Sequence, residues 1–322
     1  MGVIEVVKAG MLCSVQDQGR DGYRYAGVPK SGAFDSLALS TGNRLLGNAD
    51  NDAAIEMTLV GGEYRFSAST TVCLTGAVAD DAMIISDDHQ RSLNHQQPTA
   101  ISVGSSIRVG RLSRGARGYL CVAGGVRNSL VLGSRSSLVS LPAAGLGRAL
   151  QTGDQLPFDP EKTTRLNKAG IAGIWGPEST KASVSGRLRI VPGAHYEQFK
   201  ESQQKMLGEC VFMVSDQSNR AGVRLTGCCI QRETSDAVKS EGTIPGYVQV
   251  PPSGNPIVLG VDGPTTGGYP VIACVIEADL PVLAQCTMRQ KIQFCWVSRS
   301  EALEALNDQY ALIQSVQVHH PI

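Results

Sequence analysis

The chain has 322 residues and a mass of 34.0 kDa, with 29 basic and 29 acidic side chains. That balance provides no general field for nucleic acid or an anionic membrane, so any anion site must be local. The length suits two domains of roughly 150 residues, and 36 glycines against 5% aromatics favour many short strands and tight turns over a helical bundle.

In chain order, the opening Met1-Gly2-Val3-Ile4-Glu5-Val6 lacks a basic n-region, and Val6 stands where a myristoylation motif needs Ser or Thr. No apolar run approaches the ~18 residues that span a bilayer, so the expectation is a cytoplasmic protein with no membrane contact. The nine cysteines sit mostly in apolar contexts such as Val72-Cys73-Leu74 and Leu120-Cys121-Val122, with no Cys-x-x-Cys. That usage predicts reduced, buried thiols rather than a disulfide framework.

The first predicted helix runs from Phe34 to Gly47, with Asp35 and Ser36 as N-cap choices and Gly47 as its stop. Ile101-Ser102-Val103 and Ser106-Ile107-Arg108-Val109 read as strands. The polar stretch from Asp159 to Gly186, interrupted by Ile174-Trp175-Gly176, reads as a linker. A second, more polar helix is predicted from His195 to Leu207, then a strand at Pro256-Ile257-Val258-Leu259, then a third helix from Glu301 to Gln314. The resulting division is residues 1–160 as one β-rich domain, 161–187 as linker, 188–300 as a second, and 301–322 as terminal helix and tail.

The two halves repeat a pattern. Arg20-Asp21-Gly22-Tyr23-Arg24-Tyr25-Ala26-Gly27 reads R-x-G-x-R-x-x-G, and so does Arg220-Ala221-Gly222-Val223-Arg224-Leu225-Thr226-Gly227, each closely preceded by Asp-Gln. Val6-Val7-Lys8-Ala9-Gly10 parallels Ile190-Val191-Pro192-Gly193, and Gln155-Leu156-Pro157-Phe158 parallels Lys291-Ile292-Gln293-Phe294, in the same order. The order predicts two homologous domains with Arg20 equivalent to Arg220 and Gly22 to Gly222.

Absences narrow the chemistry. Gly27-Val28-Pro29-Lys30-Ser31 lacks the glycine that precedes the Lys of a P-loop. His89, His95, His195, His319 and His320 have no metal-ligand spacing. No Lys lies between methionines, so no covalently bound biotin is expected on this chain.

The densest polar stretch is Thr265-Thr266-Gly267-Gly268-Tyr269. Two hydroxyls, a phenol and two glycines able to adopt φ > 0 make either an oxyanion-binding nest or a plain hairpin turn. Arg20, Arg24, Arg220 and Arg224 offer forks for a carboxylate or phosphate, or pair internally with Asp17, Asp35, Glu56 or Glu241. Asp35 is a ligand group or a helix cap. Gln249, Gln285 and Asp262, beside strand runs, are ligand contacts or structural hydrogen bonds.

Several motifs in order resemble one family: Val15-Gln16-Asp17-Gln18-Gly19-Arg20, Ser31-Gly32-Ala33-Phe34-Asp35, Asn43-Arg44-Leu45-Leu46-Gly47-Asn48, Ala123-Gly124-Gly125-Val126, Ser240-Glu241-Gly242, Gly246-Tyr247-Val248-Gln249-Val250-Pro251, Thr265-Thr266-Gly267-Gly268-Tyr269-Pro270 and Glu277-Ala278-Asp279-Leu280-Pro281. This is the biotin-dependent carboxyltransferase, KipA or allophanate hydrolase subunit 2 family, and the pattern is most similar to the branch that holds the C subunits of 5-oxoprolinases. The resemblance implies a mainly β fold of two cyclophilin-like β-barrel domains in tandem with a few short helices. It implies one component of an ATP-dependent 5-oxoprolinase that opens 5-oxo-L-proline to L-glutamate. ATP with Mg2+ would act in the assembled complex, beside KipI-like B and lamB/YcsF-like A subunits, and the chain alone would be inactive.

On that reading Asp17, Glu241 and Asp262 are the catalytic choices. Arg20, Ser31, Asp35, Arg220, Arg224, Gln249, Thr265, Thr266, Gly267, Gly268, Tyr269 and Gln285 are the substrate- or phosphate-binding ones. The alternatives are a carboxyltransferase-like subunit that works on urea or another small amide with a separate biotin carrier, and a non-catalytic KipA-like partner of a KipI-like protein. Asp262-Gly263-Pro264 and Met288-Arg289-Gln290 depart from the family's usual residues, the first of them beside the Thr-Gly-Gly turn.

Overall fold

The structure is a computed structural model and describes residues 1–87, 89–142, 145–160, 186–233 and 238–316. The predicted linker therefore lies almost wholly outside the described residues, as do His319 and His320. The described residues are mainly strand, with four α-helices: Ser36–Leu45, Glu201–Glu209, Leu280–Ala284 and Arg299–Ser315. They fall into two units, one holding residues 1–20, 31–160 and 312–316, the other 21–30 and 186–311. The short segment 21–30 groups with the second unit, not with the strands flanking it in sequence.

In the first unit the strands form two sheets. One runs, neighbour to neighbour, Gln155–Phe158, Gly2–Lys8, Glu63–Phe66, Ser106–Arg108, Met83–Ile85, Gln90–Ser92. The other runs Leu12–Gln16, Ala54–Thr58, Arg114–Val122, Thr70–Val78, Thr99–Ile101. Strand alternation explains the core. Along Arg114–Val122, Leu120 and Val122 join the main core with Ile4, Val6, Tyr64 and Phe158, while Tyr119 and Cys121 join a second cluster with Leu39, Leu45 and Cys73. Both faces are covered, which is why Tyr119-Leu120-Cys121-Val122 reads as a continuous apolar run.

The Ser36–Leu45 helix covers the second face. Its Asp35 cap is as expected: Asp35 Oδ1 accepts from the Ala38 N–H at 2.9 Å. Gly42 sits mid-helix despite its poor propensity, because a Cβ there would meet Cys121 Sγ at 2.5 Å. The strand expected at Ile101-Ser102-Val103 ends at Ile101, since Ser102 to Ser105 turn, with Ser105 N–H donating to Ser102 O.

In the second unit seven strands close a barrel in the order Arg187–Pro192, Val271–Val275, Tyr247–Gln249, Ile257–Leu259, Gly222–Thr226, Val211–Val214, Lys291–Trp296. Closure is by parallel pairing of the first strand with the last, Leu188 opposite Phe294 and Ile190 opposite Trp296. Leu188, Ile190, Phe212, Val214, Leu225, Val248, Val258, Ile292 and Phe294 are buried, with Phe212 and Phe294 rings 5.6 Å apart. Outside the barrel a ribbon pairs Glu241 with Gly267 and Gly242 with Thr266.

Parts of the repeat survive in the fold and parts do not. Gly2–Lys8 and Arg187–Pro192 are both strands, and both are followed by a glycine that backbone crowds: a Cβ on Gly10 would meet Val60 O at 2.3 Å, and one on Gly193 would meet Val271 O at 2.6 Å. Each strand pairs with the last strand of its half, although antiparallel to Gln155–Phe158 in one case and parallel to Lys291–Trp296 in the other. Within the R-x-G-x-R-x-x-G copies Arg20 and Arg220 are both buried, but the chain differs after them: Gly22 has φ 85 in a loop before the 3-10 turn Arg24–Ala26, whereas Gly222 starts a barrel strand.

Candidate functional site

The expected site residues divide between the two units. In the first, the Asp17 carboxylate is buried and saturated: Gly19 N–H and Ser134 Oγ donate to Oδ1 at 2.8 and 2.7 Å, Ser136 Oγ donates to it at 2.5 Å, and Arg135 N–H donates to Oδ2 at 2.7 Å. Four donors clasping one carboxylate account for Asp17 as the tie between its own loop and residues 134–136. The fully buried Arg20 donates to the Ser136 carbonyl in the same clasp. Ser31, at φ 56, donates to Ser137 O at 3.3 Å.

Asp35 caps its helix, and its N–H donates to Tyr119 Oη, which in turn donates to buried Glu56 at 2.7 Å. Burial is the largest cause holding the Tyr119 phenol well above its ordinary range, with the charges of Glu56 and Asp35 adding to it. It therefore stays a donor.

In the second unit Arg220 and Asp262 form a two-pronged pair, Nε to Oδ2 and Nη2 to Oδ1, both 2.9 Å, with side chains 2% and 0% exposed. The pair holds the turn after Leu259 to the start of Gly222–Thr226, where Asp262 N–H also donates to Arg220 O at 3.1 Å. The expected roles of Asp262 as a catalytic group and Arg220 as a substrate clamp are replaced by this internal partnership. Arg224 is exposed on its strand, Gln285 is buried, and Tyr269 is 46% exposed.

The Thr-Gly-Gly segment also needs correction. Neither Gly267 nor Gly268 lies in the left-handed region, so no nest of that kind forms. Gly267 is required for close approach: a Cβ there would stand 2.6 Å from Gln249 Nε2 and 3.0 Å from Thr243 Cγ2. The ribbon is fixed at its base by Thr243 N–H donating to Thr265 O at 3.0 Å, by the Thr243 hydroxyl donating to Pro264 O, and by Arg24 donating to Thr243 O. Burial lowers the Arg24 pKa.

Glu241, on the other strand of the ribbon, lies 3.9 Å from Nε2 of His195. His195 is buried and locked to the start of Val271–Val275. Its N–H donates to Val271 O at 2.9 Å, and its Nδ1 accepts from Val271 N–H at 3.2 Å. Since Nδ1 is an acceptor, the ring carries its proton on Nε2, the nitrogen facing Glu241. Val271 is also the register partner of Gln249. Glu241, Gln249 and Gly267, all expected in a site, are brought together; His195 has no metal spacing and sequence reasoning misses it. The available signal is its place just after Pro192-Gly193, where a strand ends against backbone.

Reduced thiols are expected throughout, but Cys210 and Cys228 form a disulfide, with Cα atoms 6.5 Å apart. Cys13, Cys73, Cys121 and Cys286 are free and buried.

A mainly β chain with a closed barrel and a polar ribbon at its flank is the architecture of a carboxyltransferase-type domain. The chain belongs to the carboxyltransferase domain family, subdomains A and B, which matches residues 26–296. It is 38% identical over 309 residues to the C subunit of 5-oxoprolinase from Escherichia coli K12, covering 95% of each chain. It is 36% identical to the corresponding 5-oxoprolinase C subunit of Haemophilus influenzae, covering 93% of each. It is also 30% identical to the urea amidolyase of Saccharomyces cerevisiae, covering 97% of this chain and 18% of that one. Among solved structures, Kluyveromyces lactis urea carboxylase superposes with a TM-score of 0.83 at 28% identity, over 98% of this chain and 29% of that one.

Proposed function

We propose that the chain is the C subunit of a bacterial 5-oxoprolinase, working with separate A and B subunits to open 5-oxo-L-proline to L-glutamate at the expense of ATP. The observation that supports it is the 38% identity to the Escherichia coli protein over 95% of both chains. The partners on this reading are the KipI-like B and lamB/YcsF-like A subunits. A five-membered lactam is a resonance-stabilised, poor electrophile, so phosphorylating its amide oxygen is what makes attack by water feasible. The protein must then supply donors for the developing oxyanion and an acceptor near the ring nitrogen.

ATP and Mg2+ belong to the assembled complex on this reading. The sequence has no P-loop, and no group of three His, Cys, Asp or Glu among the described residues is placed to hold a metal ion. This chain's own contribution is the ribbon site. Glu241 is the acceptor and the Thr265 and Thr266 hydroxyls lie on the ribbon, while Arg224, exposed on its barrel strand, is retained as the clamp for the substrate carboxylate in place of Arg220, which pairs with Asp262.

A second reading, a carboxyltransferase half acting on urea with biotin on another chain, is favoured by the match of nearly the whole chain to urea amidolyase. The chain purified alone should release no glutamate from 5-oxo-L-proline with ATP. ATP-dependent release by the chain alone would refute the assignment to a multi-component enzyme, and biotin-dependent carboxylation of urea by its complex would favour the second.

A further inference from the structure

Gln249 ends the barrel strand Tyr247–Gln249 with 4% of its surface exposed, and its amide nitrogen is buried without a hydrogen-bond partner among the described residues. Leaving such a donor unsatisfied is destabilising, and a Met of similar volume would avoid that cost. The contacts around it form a ring. Gln249 pairs in register with Val271, Val271 holds His195 through both its N–H and its carbonyl, His195 Nε2 faces Glu241 at 3.9 Å, and Glu241 pairs with Gly267. Gly267 returns the ring to Gln249, because the Cβ it lacks would lie 2.6 Å from that same amide nitrogen.

Two features show what the ring is shaped to accept. A Cβ at 267 would stand only 2.6 Å from Nε2, so only glycine lets the ribbon roof this donor, and a partner oxygen at about 2.9 Å would have to come from the side of the ring, not through position 267. The 3.9 Å between His195 Nε2 and Glu241 is too long for a direct hydrogen bond, the separation a bridging polar atom would fill. The ring thus offers two N–H donors, from Gln249 and from the Nε2–H of His195, next to one carboxylate acceptor. A trans amide presents its carbonyl and N–H on opposite edges; a small lactam is forced cis and presents both on one edge.

We propose that Gln249, His195 and Glu241 form a subsite for the cis-amide edge of a small lactam, roofed by the ribbon at Gly267. The lactam oxygen accepts from the Gln249 amide and from His195 Nε2–H, and the lactam N–H donates to Glu241. The assignment deepens the 5-oxoprolinase reading and rests on it for the identity of the lactam, but not for the binding itself.

The test is a titration of the full chain, 15N-labelled, with 2-pyrrolidinone, a cis-lactam without a carboxylate, following the Gln249 side-chain amide resonances. N-methylacetamide, a trans amide, and acetate serve as controls. The expected result is a saturable shift with 2-pyrrolidinone that neither control produces at equal concentration. Gln249→Met, His195→Asn and Gly267→Ala should each weaken binding at least tenfold, read for Gln249→Met from neighbouring backbone amides. Asn keeps an acceptor for Val271 N–H while removing the Nε2 donor, so its fold is retained. Gln249→Met should keep or raise Tm, since it removes the unsatisfied donor; a purely structural Gln249 would lower Tm and leave the titration unchanged, which would overturn the proposal. Equal saturation by acetate would make it an anion site, and equal saturation by N-methylacetamide a generic amide site; either overturns it. Because no turnover is measured, this result stands apart from whether an assembled enzyme opens 5-oxo-L-proline.

Discussion

Replacing Asp262 by Ala would strip the Arg220 guanidinium of both arms of its partner, 2.9 Å each, in a place where neither side chain meets solvent appreciably. Desolvation has already been incurred by both ions, so losing Asp262 leaves the buried guanidinium without its two-pronged ion-pair partner, which costs about 3–5 kcal/mol. For a unit of this size that corresponds to a fall in Tm on the order of 10 °C. Arg220→Met should cost about the same. The double replacement Arg220→Met with Asp262→Leu should cost less than either single change, because the apolar pair leaves no orphan charge. Urea unfolding of the purified chain, with a double-mutant cycle over the four proteins, measures the coupling. An Asp262→Ala protein within about 1 kcal/mol of the parent, whose complex had nevertheless lost turnover, would refute the structural assignment and restore Asp262 as a reacting group.

Further outcomes follow from the first unit and the cysteines. Asp35→Ala removes the cap on Ala38 N–H and should cost about 1 kcal/mol by denaturant unfolding, without the larger loss a reacting group would show in turnover. Tyr119→Phe leaves buried Glu56 short of a donor and Asp35 N–H short of an acceptor, so a loss of about 1–3 kcal/mol is expected in the same assay. Reducing the Cys210–Cys228 bridge, which closes a span of 18 residues, should lower stability by about 3 kcal/mol, seen as a drop in Tm with reductant that a Cys210→Ser protein does not show. Burial pushes the Cys274 thiol up to about 11 and Cys121 up to about 12. The thiolate is the reactive form, so alkylation of the native chain near pH 8 should label exposed Cys229 and Cys295 and spare these two, with Cys274 labelling only as pH rises toward 11. Rapid labelling of Cys274 near pH 8 in the native chain would contradict its placement.

The fold class was legible because glycine-rich, aromatic-poor composition and short apolar runs admit few alternatives, and the helix at Ser36–Leu45 was legible because Asp35 caps it. The second helix begins later than its sequence suggests: Tyr196–Gln198 form a 3-10 turn, Lys200 is extended, and the α-helix starts at Glu201. Leu280–Ala284 escapes sequence reading because one turn opening on Leu280-Pro281 is too short for periodicity to show. The site was half legible. Glu241, Gln249 and Gly267 carry chemistry that stands out in a string of residues, but register decides what they meet, and register is not written locally. Hence a sequence reading credits Gly267 with φ > 0 when its need is close approach to Gln249, and the partnership of Arg220 with Asp262, 42 residues apart, is invisible. His195 is invisible for the same reason, its role being set by Val271.

The most direct test of the central claim is reconstitution of the chain with the A and B subunits of 5-oxoprolinase, following glutamate release from 5-oxo-L-proline with ATP present and absent. The account predicts release that requires this chain and ATP together and is lost when any one component is withheld. Undiminished release from the A and B subunits without this chain, or none from the complete mixture when the Escherichia coli C subunit in its place restores turnover, would contradict it.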